Sequence, residues 1–121
     1  MEAIIKSIRP FLGAKNFELS RKFYVNLGFV ETVLNSKLSV FKMGDFAFYL
    51  QDAYVKDWVD NSMVFLEVSN VNEFWNSILQ LNLTEKYRDV RLIPIQEYDW
   101  GREFFIHDTS GVLWHIGEFV K

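Results

Sequence analysis

One order of segments runs through this chain twice: an apolar stretch, an asparagine, an amphipathic helical pattern, then alternating strands. Asn16 heads the first helical pattern and Asn70, 54 residues on, heads the second. An asparagine side chain accepts from the backbone N–H groups that open a helix, so each is an expected N-cap. Asn70 also has Glu73 three residues on, the spacing of a capping box. At the same offset Phe11 falls on Phe65, Leu12 on Leu66, Ala14 on Val68, Tyr24 on Ile78 and Leu27 on Leu81. Apolar coincidences come cheaply, so the shared order of elements carries the argument. At 121 residues the chain is one domain by size. The expectation is a single α+β domain, 1–121, made of a duplicated βαβββ unit. Its halves cover about 1–58 and 59–121, and their sheets face each other around a cleft.

Periodicity places the elements. A strand is expected over Ile4–Ala14. A helix follows with Phe17, Phe23, Tyr24 and Leu27 on one face, stopping at Gly28. Strands over Phe29–Leu34, Leu38–Met43 and Phe46–Leu50 come next, the last two joined at Gly44-Asp45. In the second half Met63–Val68 alternates, with Val64, Leu66 and Val68 toward the helix and Met63, Phe65 and Glu67 toward the concave side. The second helix buries Val71, Phe74, Trp75, Ile78 and Leu79. Strands are expected near Val90–Ile93, at Glu103–His107 and at Val112–Phe119. Pairing His107 with Val112 across an Asp108–Gly111 turn puts Phe105, His107, Val112 and Trp114 on one face. Arg102, Phe104, Ile106, Leu113 and His115 take the other, with Trp100 beside them. The two histidines then sit on opposite faces and cannot share a metal.

Composition excludes several function classes. The net charge is −3, with no basic surplus to hold a phosphate backbone, so no nucleic-acid partner is expected. Without cysteine there is no disulfide, thiolate metal site or cysteine nucleophile. The six glycines are scattered and form no phosphate loop. The start, Met1 through Lys6, lacks the basic and apolar regions of a secretion signal. No apolar run reaches the roughly 18 residues of a membrane span. A cytoplasmic protein without membrane contact is the expectation. Aromatic residues make up 17% of the chain, more than a core this small needs.

Three stretches carry a family resemblance. Trp100-Gly101-Arg102-Glu103-Phe104 is followed by His107-Asp108-Thr109-Ser110-Gly111. Asn16 leads through Phe23-Tyr24 to Leu27-Gly28-Phe29, and Asp60-Asn61-Ser62 enters a strand. The chain resembles the bleomycin resistance proteins of the vicinal oxygen chelate superfamily, which also holds glyoxalase I. That resemblance covers nearly the whole chain. It implies a homodimer, with the N-terminal strand exchanged and each cleft built from both chains; the apolar Ile4, Ile5 and Ile8 suit such a strand. It also implies four metal-ligand positions, which fall here on Arg9, Tyr49, Met63 and His115. Only His115 is a usual ligand, an arginine repels cations, and a thioether suits soft metals. No metal and no other cofactor are therefore expected.

The candidate ligand-binding residues are Leu38, Val40, Tyr49, Asp60, Asn61, Phe65, Glu67, Trp100, Gly101, Arg102, Phe104 and His115. Trp100 reads as a stacking wall beside a glycine that lets a ligand approach; the competing reading is a core tryptophan. Leu38 and Val40 enter through the resemblance and are ordinary core residues by pattern. Arg102 is read as an ion-pair residue before a ligand contact. Asp60 and Glu67 attract a cation or are a loop cap and a solvated strand residue. No catalytic residue is assigned: His115 has no nucleophile or metal to work with. The functional expectation is a non-enzymatic antibiotic-resistance protein that sequesters a planar, cationic, bleomycin-type molecule. The alternatives are a metal-dependent lyase or dioxygenase-like enzyme of the superfamily, or a binder of another aromatic metabolite.

Overall fold

The computed structural model describes residues 3–120; Met1 and Glu2, part of the stretch read for a secretion signal, and Lys121 lie outside it. The first half runs β1 (Phe11–Gly13), α1 (Phe17–Leu27), β2 (Val30–Asn35), β3 (Leu38–Met43) and β4 (Phe46–Gln51). A short helix, α2 (Lys56–Asp60), leads to the second half. That half runs β5 (Met63–Glu67), α3 (Val71–Gln80), α4 (Leu83–Lys86), β6 (Arg91–Tyr98), β7 (Gly101–His107) and β8 (Leu113–Phe119). The strand orders are β1-β4-β3-β2 and β5-β8-β7-β6, one topology used twice. In each sheet the strand before the long helix lies parallel to the last strand, and the other pairs are antiparallel.

Local chemistry starts and stops the helices as read from the sequence. Asn16 Oδ1 accepts from Leu19 N at 3.1 Å, and Gly28, at φ 119°, ends α1. Asn70 Oδ1 accepts from Glu73 N at 3.1 Å. The next donor, Val71 N, bonds Glu118 Oε1 at 2.8 Å, so a strand carboxylate completes this helix start.

The helix-side faces of both sheets share one core. Tyr24 of α1 is fully buried, its ring 4.8 Å from Phe48 of the first sheet and 5.8 Å from Trp114 of the second. Its hydroxyl donates to Asp108 Oδ2 at 2.5 Å and accepts from Trp114 Nε1 at 2.9 Å. Ser20 Oγ lies 2.7 Å from Thr109 Oγ1. Asp108 Oδ1 takes the N–H groups of Ser110, Gly111 and Val112 at 2.8–2.9 Å. Tyr24 and Ser20 of the first helix and the Asp-Thr-Ser-Gly turn are thus two ends of one buried bracket between the halves. Burial pushes the Tyr24 phenol well above its ordinary range, and the adjacent Asp108 carboxylate adds to the shift. Burial also raises Asp108, against the pull of the hydrogen bonds it accepts. The opposite faces of the sheets are open: Phe11, Met63 and Phe65 all reach solvent. The expected cleft between facing sheets is not closed within one chain, because the halves join helix side to helix side.

Three expectations are corrected. The first strand covers only Phe11–Gly13 of Ile4–Ala14. Pro10 has no N–H to extend the ladder, and Ile4, Ile5 and Ile8 find nothing in their own chain to bury against, at 85–94% exposure. The β7–β8 register is one residue off: His107 pairs with Leu113, Ile106 with Trp114, Phe105 with His115 and Phe104 with Ile116. The three N–H groups held by Asp108 draw Val112 into the turn, and a one-residue slip exchanges the faces. His107 and His115 therefore share the open face with Phe105, while Phe104, Ile106 and Trp114 share the helix side. Finally, β6 runs past Ile93 to Tyr98, with the ladder shifted around Pro94.

Candidate functional site

The open face of the second sheet carries a run of aromatic rings held by strand pairing. β5 lies parallel to β8 with Phe65 opposite His115 and Glu67 opposite Gly117. The Phe65 ring lies across Gly117; a Cβ there would meet its tip at 2.6 Å, so glycine makes the seat. Phe119 is 5.6 Å from Phe65, and Trp100 is 6.1 Å from Phe65 and 5.2 Å from Phe119 between centroids. Tyr98 stacks on Trp100 at 5.4 Å, nearly parallel at 10°. These rings form a partly exposed wall that a simple core does not need.

His115 continues the wall toward β7. Its ring lies 6.2 Å from Phe65 at 23° and 5.0 Å from Phe105 edge-on. Nδ1 lies 2.9 Å from Glu103 Oε1, and Nε2 lies 3.5 Å from Met63 Sδ. Glu103 is itself buried in the sheet. The first sheet has the matching arrangement: Phe11 stacks on Tyr49 at 4.6 Å, and Arg9 Nη1 donates to Tyr49 Oη at 3.5 Å.

The four positions implied as metal ligands thus lie in two neighbouring pairs, Arg9 with Tyr49 and Met63 with His115. Their chemistry does not fit a hard divalent ion: a guanidinium sits on the first pair and a thioether on the second. Among the described residues no three His, Cys, Asp or Glu side chains gather as a metal set.

Of the sequence candidates, Phe65, Glu67, Trp100 and His115 come together on the second sheet's open face. Tyr49 and half-buried Leu38 lie on the first sheet's open face; Val40 is there too but is buried. Four candidates are elsewhere. Phe104 is fully buried on the helix side, 4.9 Å from Trp75, because the register differs by one. Arg102 points to that side as well, 3.5 Å from Glu118 Oε2. Asp60 pairs with Lys56 at 2.8 Å, and Asn61 Nδ2 donates to Asp57 O at 2.6 Å; both serve α2. Gly101 does not open a path for a ligand. A Cβ there would meet Glu118 O at 2.1 Å, so the glycine admits the neighbouring strand. Sequence reading passed over Tyr98, Glu103, Gly117 and Phe119. Alternation from His115 through Gly117 to Phe119 was the available signal.

An apolar groove of about 500 Å³ lies between the halves and shares Phe65 and Glu67 with the wall. Phe46, Ala47 and Phe48 of β4 form one side, Val64 to Val68 the other, and Phe29 and Trp114 are also in its lining. β1 pairs only with Tyr49–Gln51, so it leaves the start of β4 uncovered.

This duplicated βαβββ architecture is the fold of the bleomycin-binding and glyoxalase-type structures. It matches a bleomycin-binding protein from Streptomyces verticillus, solved with copper(II)-bleomycin, at TM-score 0.81 and 19% identity over 99% of this chain and 100% of that one. The bleomycin resistance determinant of transposon Tn5 matches at 0.79 and 15% identity, over 97% and 100%. A lactoylglutathione lyase from Agrobacterium tumefaciens matches at 0.71 and 16%, over 95% of each chain. No family model and no curated protein sequence matches the chain. Among the described residues no helix is long and apolar enough to cross a membrane.

Proposed function

We propose that this protein is a metal-independent binding protein that sequesters planar, cationic aromatic molecules of the bleomycin type, as a cytoplasmic antibiotic-resistance function. The observation that carries this is the ring wall of Phe65, Trp100, Tyr98 and Phe119 on an open sheet face, with Glu67 beside it. Stacked or edge contacts each contribute roughly 0.5–1.5 kcal/mol beyond burial. A carboxylate at the rim favours a cation and speeds its approach. The solved neighbours that bind bleomycin give the reading its drug class. A lyase of the same fold would need a metal, and Arg9, Tyr49 and Met63 are poor donors for one.

We further propose that the working unit is a homodimer in which each chain's residues 3–8 serve the other. Three isoleucines on an otherwise unpaired arm, and a groove flanked by the free edges of β4 and β5, support this. A partner's sheet face would then supply the second wall of each cleft, Phe11 and Tyr49 opposite Phe65 and Trp100.

Tryptophan-fluorescence titration with bleomycin tests the binding function. Quenching at micromolar drug is expected, and Trp100→Phe reduces its amplitude. Absence of quenching and of any calorimetric heat in the folded protein rejects the drug assignment. A stoichiometric transition metal in protein purified without chelator rejects the metal-free reading.

A further inference from the structure

The imidazole of His115 is held on three sides. Phe65 lies beside it at 23°, Phe105 meets it edge-on, and Glu103 Oε1 sits 2.9 Å from Nδ1. A carboxylate offers only acceptors, so this contact requires the proton on Nδ1. In its neutral form the ring presents a lone pair at Nε2, on the same open face as the aromatic wall. The only neighbour at Nε2 among the described contacts is Met63 Sδ, 3.5 Å away on a side chain that is 65% exposed. A methionine on a surface strand swings aside at little cost.

We propose that His115 is the polar selector of this wall, and that Glu103 is its positioning residue. The pair selects a planar aromatic ligand whose edge carries a hydrogen-bond donor: a phenol, an N–H heterocycle or an aryl ammonium. This rests on the reading of the face as an aromatic-binding wall and names which aromatic it takes. The wall supplies area without direction, because every flat ring stacks. Nε2 supplies direction, because an edge that carries only an acceptor meets a lone pair there and leaves it unsatisfied. Glu67 and Glu103 on the same face place negative charge nearby, so a cationic donor is favoured over a neutral one.

The test compares two probes of one shape, 6-hydroxyquinoline and 6-methoxyquinoline, by isothermal titration calorimetry. The intact protein is expected to prefer the hydroxyl probe by about fivefold or more, the worth of one hydrogen bond. His115→Phe keeps a flat ring and removes the lone pair, so the two probes should bind it equally. Glu103→Gln presents an amide that turns either its oxygen or its N–H₂ toward Nδ1. It should lower the preference toward one. The ratio of affinities is the readout, because a purely structural role of either residue moves both probes together. A ratio of one or below in the intact protein overturns the proposal, as does failure of both probes to bind. A preference retained in His115→Phe also overturns it. If bleomycin fails to bind while the hydroxyl preference holds, the drug assignment falls and this selector stands; if bleomycin binds with no preference between the quinolines, the reverse follows.

Discussion

Removing one oxygen atom, in Tyr24→Phe, should destabilise the whole molecule. The phenyl ring stays, so its contacts with Phe48, Phe41 and Trp114 remain. What goes is the acceptor of Trp114 Nε1–H at 2.9 Å and the donor to Asp108 Oδ2 at 2.5 Å. Both groups are buried. An unsatisfied buried group costs about 1–3 kcal/mol, and a carboxylate stands at the upper end. Relief from burying the lost hydroxyl offsets part of this, leaving a loss of about 3 kcal/mol. That is a large share of the roughly 5–15 kcal/mol that holds a domain together. For a chain of this size it lowers Tm by about 10–15 °C. Urea unfolding followed by circular dichroism checks it, with the midpoint falling and the m-value unchanged. A loss below about 1 kcal/mol would refute the view that this hydroxyl brackets the two halves.

Alkaline pH tests the same hydroxyl by linkage. The unfolded phenol ionises near its ordinary value while the buried one keeps its proton, so the unfolded state binds fewer protons and stability falls as pH rises through about 10. Tyr24→Phe should flatten that decline in a pH series of urea midpoints, and an unchanged slope contradicts it. Gly117→Ala should push the Phe65 ring off its seat and weaken bleomycin binding several-fold with little change in Tm, since only a side-chain tip has to move; equal affinity by calorimetry would show that the seat is unimportant. Ile5→Asp should shift the protein toward monomer in sedimentation equilibrium, because a charge cannot enter the apolar groove. An unchanged dimer would remove the arm from the interface.

The sequence by itself determined the two long helices, most of the strands and the duplication, but neither α2 nor α4. Asn16, Asn70 and Gly28 act locally, on N–H and C=O groups within a few residues, so their effect is readable without knowing what lies across the sheet. Alternation on Met63–Glu67 likewise fixed which side chains share a face, and it placed Phe65 and Glu67 together correctly. What the sequence could not fix was the pairing across the β7–β8 turn. That register depends on one carboxylate, Asp108, gathering three N–H groups while a tyrosine 84 residues away anchors its other oxygen. This single residue of slip moved Phe104 into the core and brought Phe105 beside His115. The role of Gly101 was hidden for a similar reason: the atom it makes room for, Glu118 O, belongs to a neighbouring strand. The tertiary structure also decided that the halves meet helix side to helix side. Burying Tyr24 and Trp114 against both sheets turns the aromatic faces outward, so the surplus of aromatic residues became an open wall instead of an oversized core.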